Sequence, residues 1–256
     1  MDNRTYFHLC AFRESVAAGT SFVQINGVAD NILTLSSGSN FIAPRDTVIG
    51  AAAGGGTDAA RQRINTPSAR YVSFPSIAPL GTGTTITNPP NLAFWGAMGV
   101  RPNDADEISV EAVHSNVGAQ VQWSLMWLLF GKKNWTPGRQ YRTRFTASIT
   151  ATVGLWVSGA ITFDQTLPSG VYEIQGMNVF GSNLLAARLI FPGGGWRPGV
   201  MAMNTLSSTC RPEFLDGSFG AFGQFDSVNV PQLEIYAEAA NSSQEGFLDL
   251  VRVSDR

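Results

Sequence analysis

Few side chains in this sequence are of types that do chemistry, and their spacing leaves them little to do together. The two histidines, His8 and His114, stand far apart, so a histidine-based triad or a multi-histidine metal site lacks its material. His114 follows an apolar run, near a turn, and reads as a surface or sheet-end histidine. The two cysteines, Cys10 and Cys210, lie 200 positions apart, match no metal-ligand spacing and define no bridge, so reduced thiols are expected. No G-x-S-x-G elbow, H-E-x-x-H, C-x-x-C or phosphate loop occurs, and Gly81-Thr82-Gly83 continues into Thr84-Thr85-Ile86 as a loop would. The carboxylates offer more. Asp104, Asp106 and Glu107 cluster after Arg101-Pro102, where they suit either a hard cation such as Ca²⁺ or a turn solvated by carboxylates. Glu234 and Glu238 alternate on the strand face opposite Leu233, Ile235 and Ala237, so they are expected to meet water or a neighbouring subunit. A sandwich-fold hydrolase would require a convergent carboxylate pair. Neither an enzyme activity nor a cofactor is expected.

Aromatic and basic residues supply candidates for binding instead. Trp123 and Trp127 alternate with Leu125 and Leu129 and read as a core stripe. Trp95, Trp135 and Trp196 stand beside glycines or in loops, where a sugar-stacking platform would place an aromatic ring. Between Gly131 and Arg144 the chain carries Lys132, Lys133, Arg139, Arg142 and Arg144, and no acidic residue falls between Glu111 and Asp164. Such a run suits an anionic contact, with nucleic acid or lipid, or salt bridging between subunits. The whole chain, however, has a formal net charge of -2, from 17 Lys+Arg against 19 Asp+Glu, which gives no global field to hold a polyanion. No specific nucleic-acid binding and no small-molecule substrate are therefore expected.

The elements that would position these residues are strands. Of 256 residues, 44% are apolar and only 14% charged, with 27 Gly and 13 Pro, and the sole lysines are Lys132 and Lys133. A helical protein needs Lys and Glu on its wet faces, so the composition reads all-β. One short helix is expected at His8 to Ala18, where Leu9, Phe12 and Val16 recur at spacings of three and four. After it, short apolar runs are cut by Gly, Pro, Asn and Asp, and strict alternation is clearest from Val121 to Leu129, from Phe145 to Val153 and at Leu233, Ile235 and Ala237. The long Thr-, Pro- and Gly-rich stretch from Ile77 to Asn91 reads as a projecting loop. No run approaches the ~18 apolar residues of a membrane-spanning helix, and the first 19 residues lack a signal-peptide pattern, so assembly inside a cell is expected.

The chain also resembles itself. Ala59-Ala60-Arg61 recurs 127 positions on as Ala186-Ala187-Arg188, Glu111-Ala112 recurs at the same shift as Glu238-Ala239, and Ala93-Phe94 returns as Ala221-Phe222 one residue later. Each half of ~110 residues, with about eight short strands, fits a β-sandwich. The expected organisation is an N-terminal segment 1–19, a first sandwich 20–130, a basic connector 131–144 and a second sandwich 145–256.

Over residues 20–256 this doubled, loop-rich, non-catalytic plan resembles the double jelly-roll major capsid proteins of tailless icosahedral viruses, in particular the small capsid protein of bacteriophages with an internal membrane. The resemblance implies two tandem eight-stranded jelly rolls, a homotrimer with pseudo-hexagonal outline, and an icosahedral shell assembled in the host cytoplasm around a lipid vesicle. It also implies a vertex protein among the partners and an inward-facing N-terminal segment, which here offers Arg4 and Arg13 to lipid headgroups. The sequence departs from larger members in lacking long decorated loops. The low charged fraction and the preference for Arg over Lys suit a surface made to be buried against other copies. The rival reading is a carbohydrate-binding or adhesive β-sandwich, which would need an exposed aromatic platform or a Ca²⁺ site and would be a monomer.

Overall fold

The computed structural model describes residues 5–37, 39–56, 61–74, 92–95, 99–131, 134–203 and 219–255. The fold is all-β, its strands pair antiparallel wherever their register is described, and no helix among the described residues is long and apolar enough to cross a membrane. The chain divides into two compact units: one holds the described residues from Cys10 to Phe130, the other those up to Leu9 and from Gly131 onward.

The first unit is built from β1 (Phe7–Val16, whose opening residues belong to the other unit), β2 (Val23–Gly27), β3 (Leu35–Ser36), β4 (Asn40–Ile42) and β5 (Val48–Gly55), followed by β6 (Arg61–Thr66), β7 (Arg70–Phe74), β8 (Ala93–Phe94), β9 (Glu107–Val113) and β10 (Gln120–Leu129). Strands β1-β10-β5-β8 run side by side, and β2-β9-β6-β7 form a second quartet, with the short β3-β4 pair attached to β9. The two quartets join where β1 meets β2 over Phe12↔Gly27 and Arg13↔Asn26. Strand β10 alternates as its sequence suggests, with Trp123, Leu125 and Trp127 in the core, but Gln122, Ser124, Met126 and Leu128 on its other face are buried too. Its partner β5 ends in Gly54-Gly55, and a Cβ at Gly55 would lie 2.7 Å from the Trp123 ring, so the indole needs that glycine to lie flat on the strand.

The other unit contains β11 (Gln140–Ala147), β12 (Trp156–Gly159), β13 (Thr162–Phe163), β14 (Gly170–Phe180), β15 (Leu184–Ile190), β16 (Gly199–Met201), β17 (Gly223–Asp226), β18 (Gln232–Ala237) and β19 (Gln244–Asp255). They make two sheets, β13-β11-β19-β14-β17 and β12-β18-β15-β16. Leaving aside β3, β4 and β13, the order of the first unit returns here strand for strand.

Two expectations need correction. The segment expected as a helix is β1: every residue from Phe7 to Phe12 is buried, and a run covered on both faces carries no period that separates strand from helix. Most of this strand, from Cys10 on, belongs to the first unit. The stretch expected as a connector, 131–144, becomes strand at Gln140, because β11 pairs along its length with β19 from Gln140↔Val251 to Ala147↔Gln244.

Candidate functional site

The basic stretch after Gly131 leads to a pocket. Its described part runs past Trp135 and Thr136 into β11, and an open pocket of about 360 Å³ is lined by Trp135, Gln140, Arg142, Gln175 and Asp249. Trp135 is 52% exposed. Arg142 and Asp249 sit directly opposite one another on β11 and β19 and form a two-pronged pair, Nε to Oδ1 at 2.7 Å and Nη2 to Oδ2 at 2.8 Å. Gln175 occupies an irregularity of β14, where the register with β19 shifts between Ile174 and Gly176, and such a bulge re-aims a side chain. Its amide donates to the Thr136 carbonyl at 2.8 Å and accepts from the Gln140 amide at 3.2 Å.

Beneath Gln175 lies Glu173, fully buried. Its Oε1 accepts from the Thr136 backbone N–H at 2.7 Å and the Gln175 amide at 3.1 Å, and its Oε2 from the Thr136 hydroxyl at 2.7 Å and the Gln224 amide at 3.1 Å. Burial by itself would push this carboxyl up, but the four donors outweigh it and hold the group below its ordinary value. The carboxylate thus ties the Trp135–Thr136 segment to β14 and β17.

A second polar centre surrounds the N-terminal residues of the same unit. Arg188 on β15 is fully buried, donates from Nε to Glu234 Oε2 at 2.5 Å and from Nη1 to the Leu9 carbonyl at 2.6 Å, and lies 3.9 Å from the Trp156 ring centroid. Arg197 adds Nη1 contacts of 2.8 Å to both oxygens of Glu234, while its backbone N–H donates to His8 Nδ1 at 3.0 Å. Thr5 donates to the Trp196 carbonyl and Leu9 N–H to the Arg197 carbonyl, so the N-terminal residues are stitched along this edge. Glu234, expected to meet water or a neighbour, is only 6% exposed, because the sheet face opposite the core is itself covered.

The other candidates are dispersed. Arg4, Lys132, Lys133, Cys210 and the loop from Ile77 to Asn91 lie outside the described residues. Arg13 is half-buried on β1 opposite Asn26. Arg139 stands 5.4 Å from the Tyr141 ring centroid, and Arg144 is bound to Glu245, whose hydrogen bond raises its affinity for its proton. Two cations of the run, Arg142 and Arg144, are therefore matched in space by Asp249 and Glu245 from β19. Asp104 caps the Asp46 N–H, Asp106 takes Ser68 and the Asn103 N–H, and Glu107 takes Ser36 and Asn40, so these carboxylates turn to separate local donors. Ser68 for Asp106 and Ser36 for Glu107 are the main reasons both carboxyls titrate below their ordinary values. Among the described residues no three His, Cys, Asp or Glu converge as a metal site. Cys10 is buried, its Sγ 3.5 Å from the Met126 carbonyl, and His114 is a core residue whose Nε2 lies 2.7 Å from the Val16 carbonyl. Neither Glu173 nor Gln175 announces itself in the sequence, since each stands inside a strand whose apolar neighbours carry the pattern. Arg188 does, as the end of the repeated Ala-Ala-Arg.

No protein-family model, curated protein or solved structure matches this chain.

Proposed function

We propose that the chain is a structural protein of a virus, a double jelly-roll major capsid protein that trimerises and tiles an icosahedral shell. The recurrence of one strand order in both units carries this reading. In each unit the first principal strand pairs with the last and the second with the one before the last, β1 with β10 and β2 with β9, then β11 with β19 and β12 with β18. That nesting is what a jelly roll's Greek-key winding produces. A polypeptide holding two such modules presents a pair of similar lobes, which lets three copies approximate six-fold packing.

The surface supports it as well. Val23, Tyr71, Phe94 and Val117 in one unit, and Val153, Leu155 and Val228 in the other, are each more than 40% exposed. On a monomer they would be a liability, whereas between packed copies they become interface. Sizing with light scattering on the full chain tests the reading, backed by negative-stain microscopy. A species of three times 27.4 kDa, or closed particles, is the expected result. A monomer that persists as concentration rises would overturn it.

A further inference from the structure

We infer that the pocket beside Trp135 binds a neutral saccharide. The reasoning is independent of the shell reading and starts from what the pocket offers. One wall is the Trp135 indole, half exposed although the chain buries Trp123 and Trp127, and the apolar C–H face of a pyranose matches an indole in size and character. The remaining lining is a set of planar hydrogen-bonding groups, Gln140, Gln175, Arg142 and Asp249, whose geometry is set before any ligand arrives. Gln175 is held by Thr136 and Glu173, Gln140 is held by Gln175, and Arg142 and Asp249 hold each other. Such pre-organisation lowers the ordering cost of binding a hydroxyl-rich ligand.

Capacity remains for that ligand. Gln140 donates once, to Gln175, and its Oε1 has no partner among the described residues; each Asp249 oxygen accepts one bond from Arg142 and retains a lone pair. The volume of about 360 Å³ falls at the small end of ligand pockets, the size of one or two sugar rings and not of an extended chain.

Charge selects the class. Among the described lining residues the cation Arg142 is matched by the anion Asp249, so their charges cancel. A sialylated, uronic or sulfated sugar would set its anion against Asp249, the carboxylate that already holds Arg142. A neutral hexose or hexosamine derivative brings only hydroxyls and amides, which is what the lining groups recognise.

The test uses the full chain in whatever assembly state it adopts, labelled and applied to an array of neutral and acidic oligosaccharides, with hits repeated by saturation-transfer NMR. The expected result is binding confined to neutral glycans and weakened about tenfold or more by Trp135→Ala, the loss of one stacked aromatic face. Gln140→Ala, at an exposed position, serves as a second variant should Trp135→Ala not fold, and it should weaken the same glycans. Binding of acidic glycans alone, no binding to any neutral glycan, or full binding in Trp135→Ala would each overturn the inference.

Discussion

The two units carry the same ion pair in the same place, and they treat it differently. In the first, Arg63 on β6 faces Glu111 on β9 with Nε 2.6 Å from Oε2; in the other, Arg188 on β15 faces Glu234 on β18 at 2.5 Å. Strands β6 and β15 occupy equivalent positions in their sheets, as do β9 and β18. Both guanidiniums also lie over aromatic rings, Arg63 4.0 Å from the Phe22 centroid and 3.7 Å from Tyr71, Arg188 3.9 Å from Trp156. Yet the Arg63 and Glu111 side chains are 23% and 17% exposed, against 0% and 8% for Arg188 and Glu234. The difference is made by what covers each pair. Leu9 and Arg197 supply the extra hydrogen bonds that let Arg188 and Glu234 leave water, and among the described residues none gives Arg63 such a cover. A single cross-strand motif is a surface contact in one setting and a committed part of the core in the other.

Removing one partner from the buried pair separates these settings most sharply. Glu234→Gln keeps the side chain's size but strips the charge from between Arg188 and Arg197, and a buried cation left without its counter-charge costs about 3–5 kcal/mol. Urea unfolding of the full chain, compared with the parent at matched concentration, should show the midpoint lowered with an unchanged slope. A loss below about 1 kcal/mol would mean that Arg188 is hydrated in solution, and the contrast between the units would disappear.

How much of this could be read beforehand depended on whether a residue's role lay along the chain or across it. The all-β composition and the core stripe of Trp123 and Trp127 follow from local pattern, and both are present. The shift aligned Arg61 with Arg188 and Glu111 with Glu238, whereas the pairing registers align Arg63 with Arg188 and Glu111 with Glu234. The errors are of two and four residues, even numbers, so the match kept the face of the strand while missing its register. The burial of Glu234 was out of reach because the residues that cover it, Leu9 and Arg197, are remote in sequence. The misread helix at β1 has a related cause: once both faces are covered, the alternation that marks a strand is erased. Glu173 gave no signal at all, being one polar residue in a strand whose partners come from Thr136 and Gln224.

Glu173 extends the comparison to a buried charge held by amide and hydroxyl donors. Four neutral donors hold it, so Glu173→Gln would set an amide N–H₂ against groups that also donate, at a cost of about 2–3 kcal/mol. The pH dependence has a definite sign. The folded-state carboxyl titrates below its ordinary value of 4.5, so the stability it contributes is complete above that value and is lost as pH falls through the lowered one. Thermal melts of the parent should therefore decline on acidification below about pH 4.5, and Glu173→Gln should flatten that decline. Parallel pH profiles for the two proteins would show that the carboxylate is not held as described.

The smallest effect belongs to the exposed pair and completes the contrast. Glu111→Gln leaves Arg63 between Phe22 and Tyr71, in reach of water, so its charge keeps both solvation and its aromatic contacts. The expected cost is about 1 kcal/mol or less, and it should shrink further in high salt because a partly exposed pair is screened. The Glu234→Gln penalty should hardly respond to salt, since no mobile ion reaches a pair enclosed by Leu9, Trp156 and Arg197. Urea midpoints for both variants at low and high salt provide the measurement, and an equal salt response in the two would mean that burial does not distinguish them.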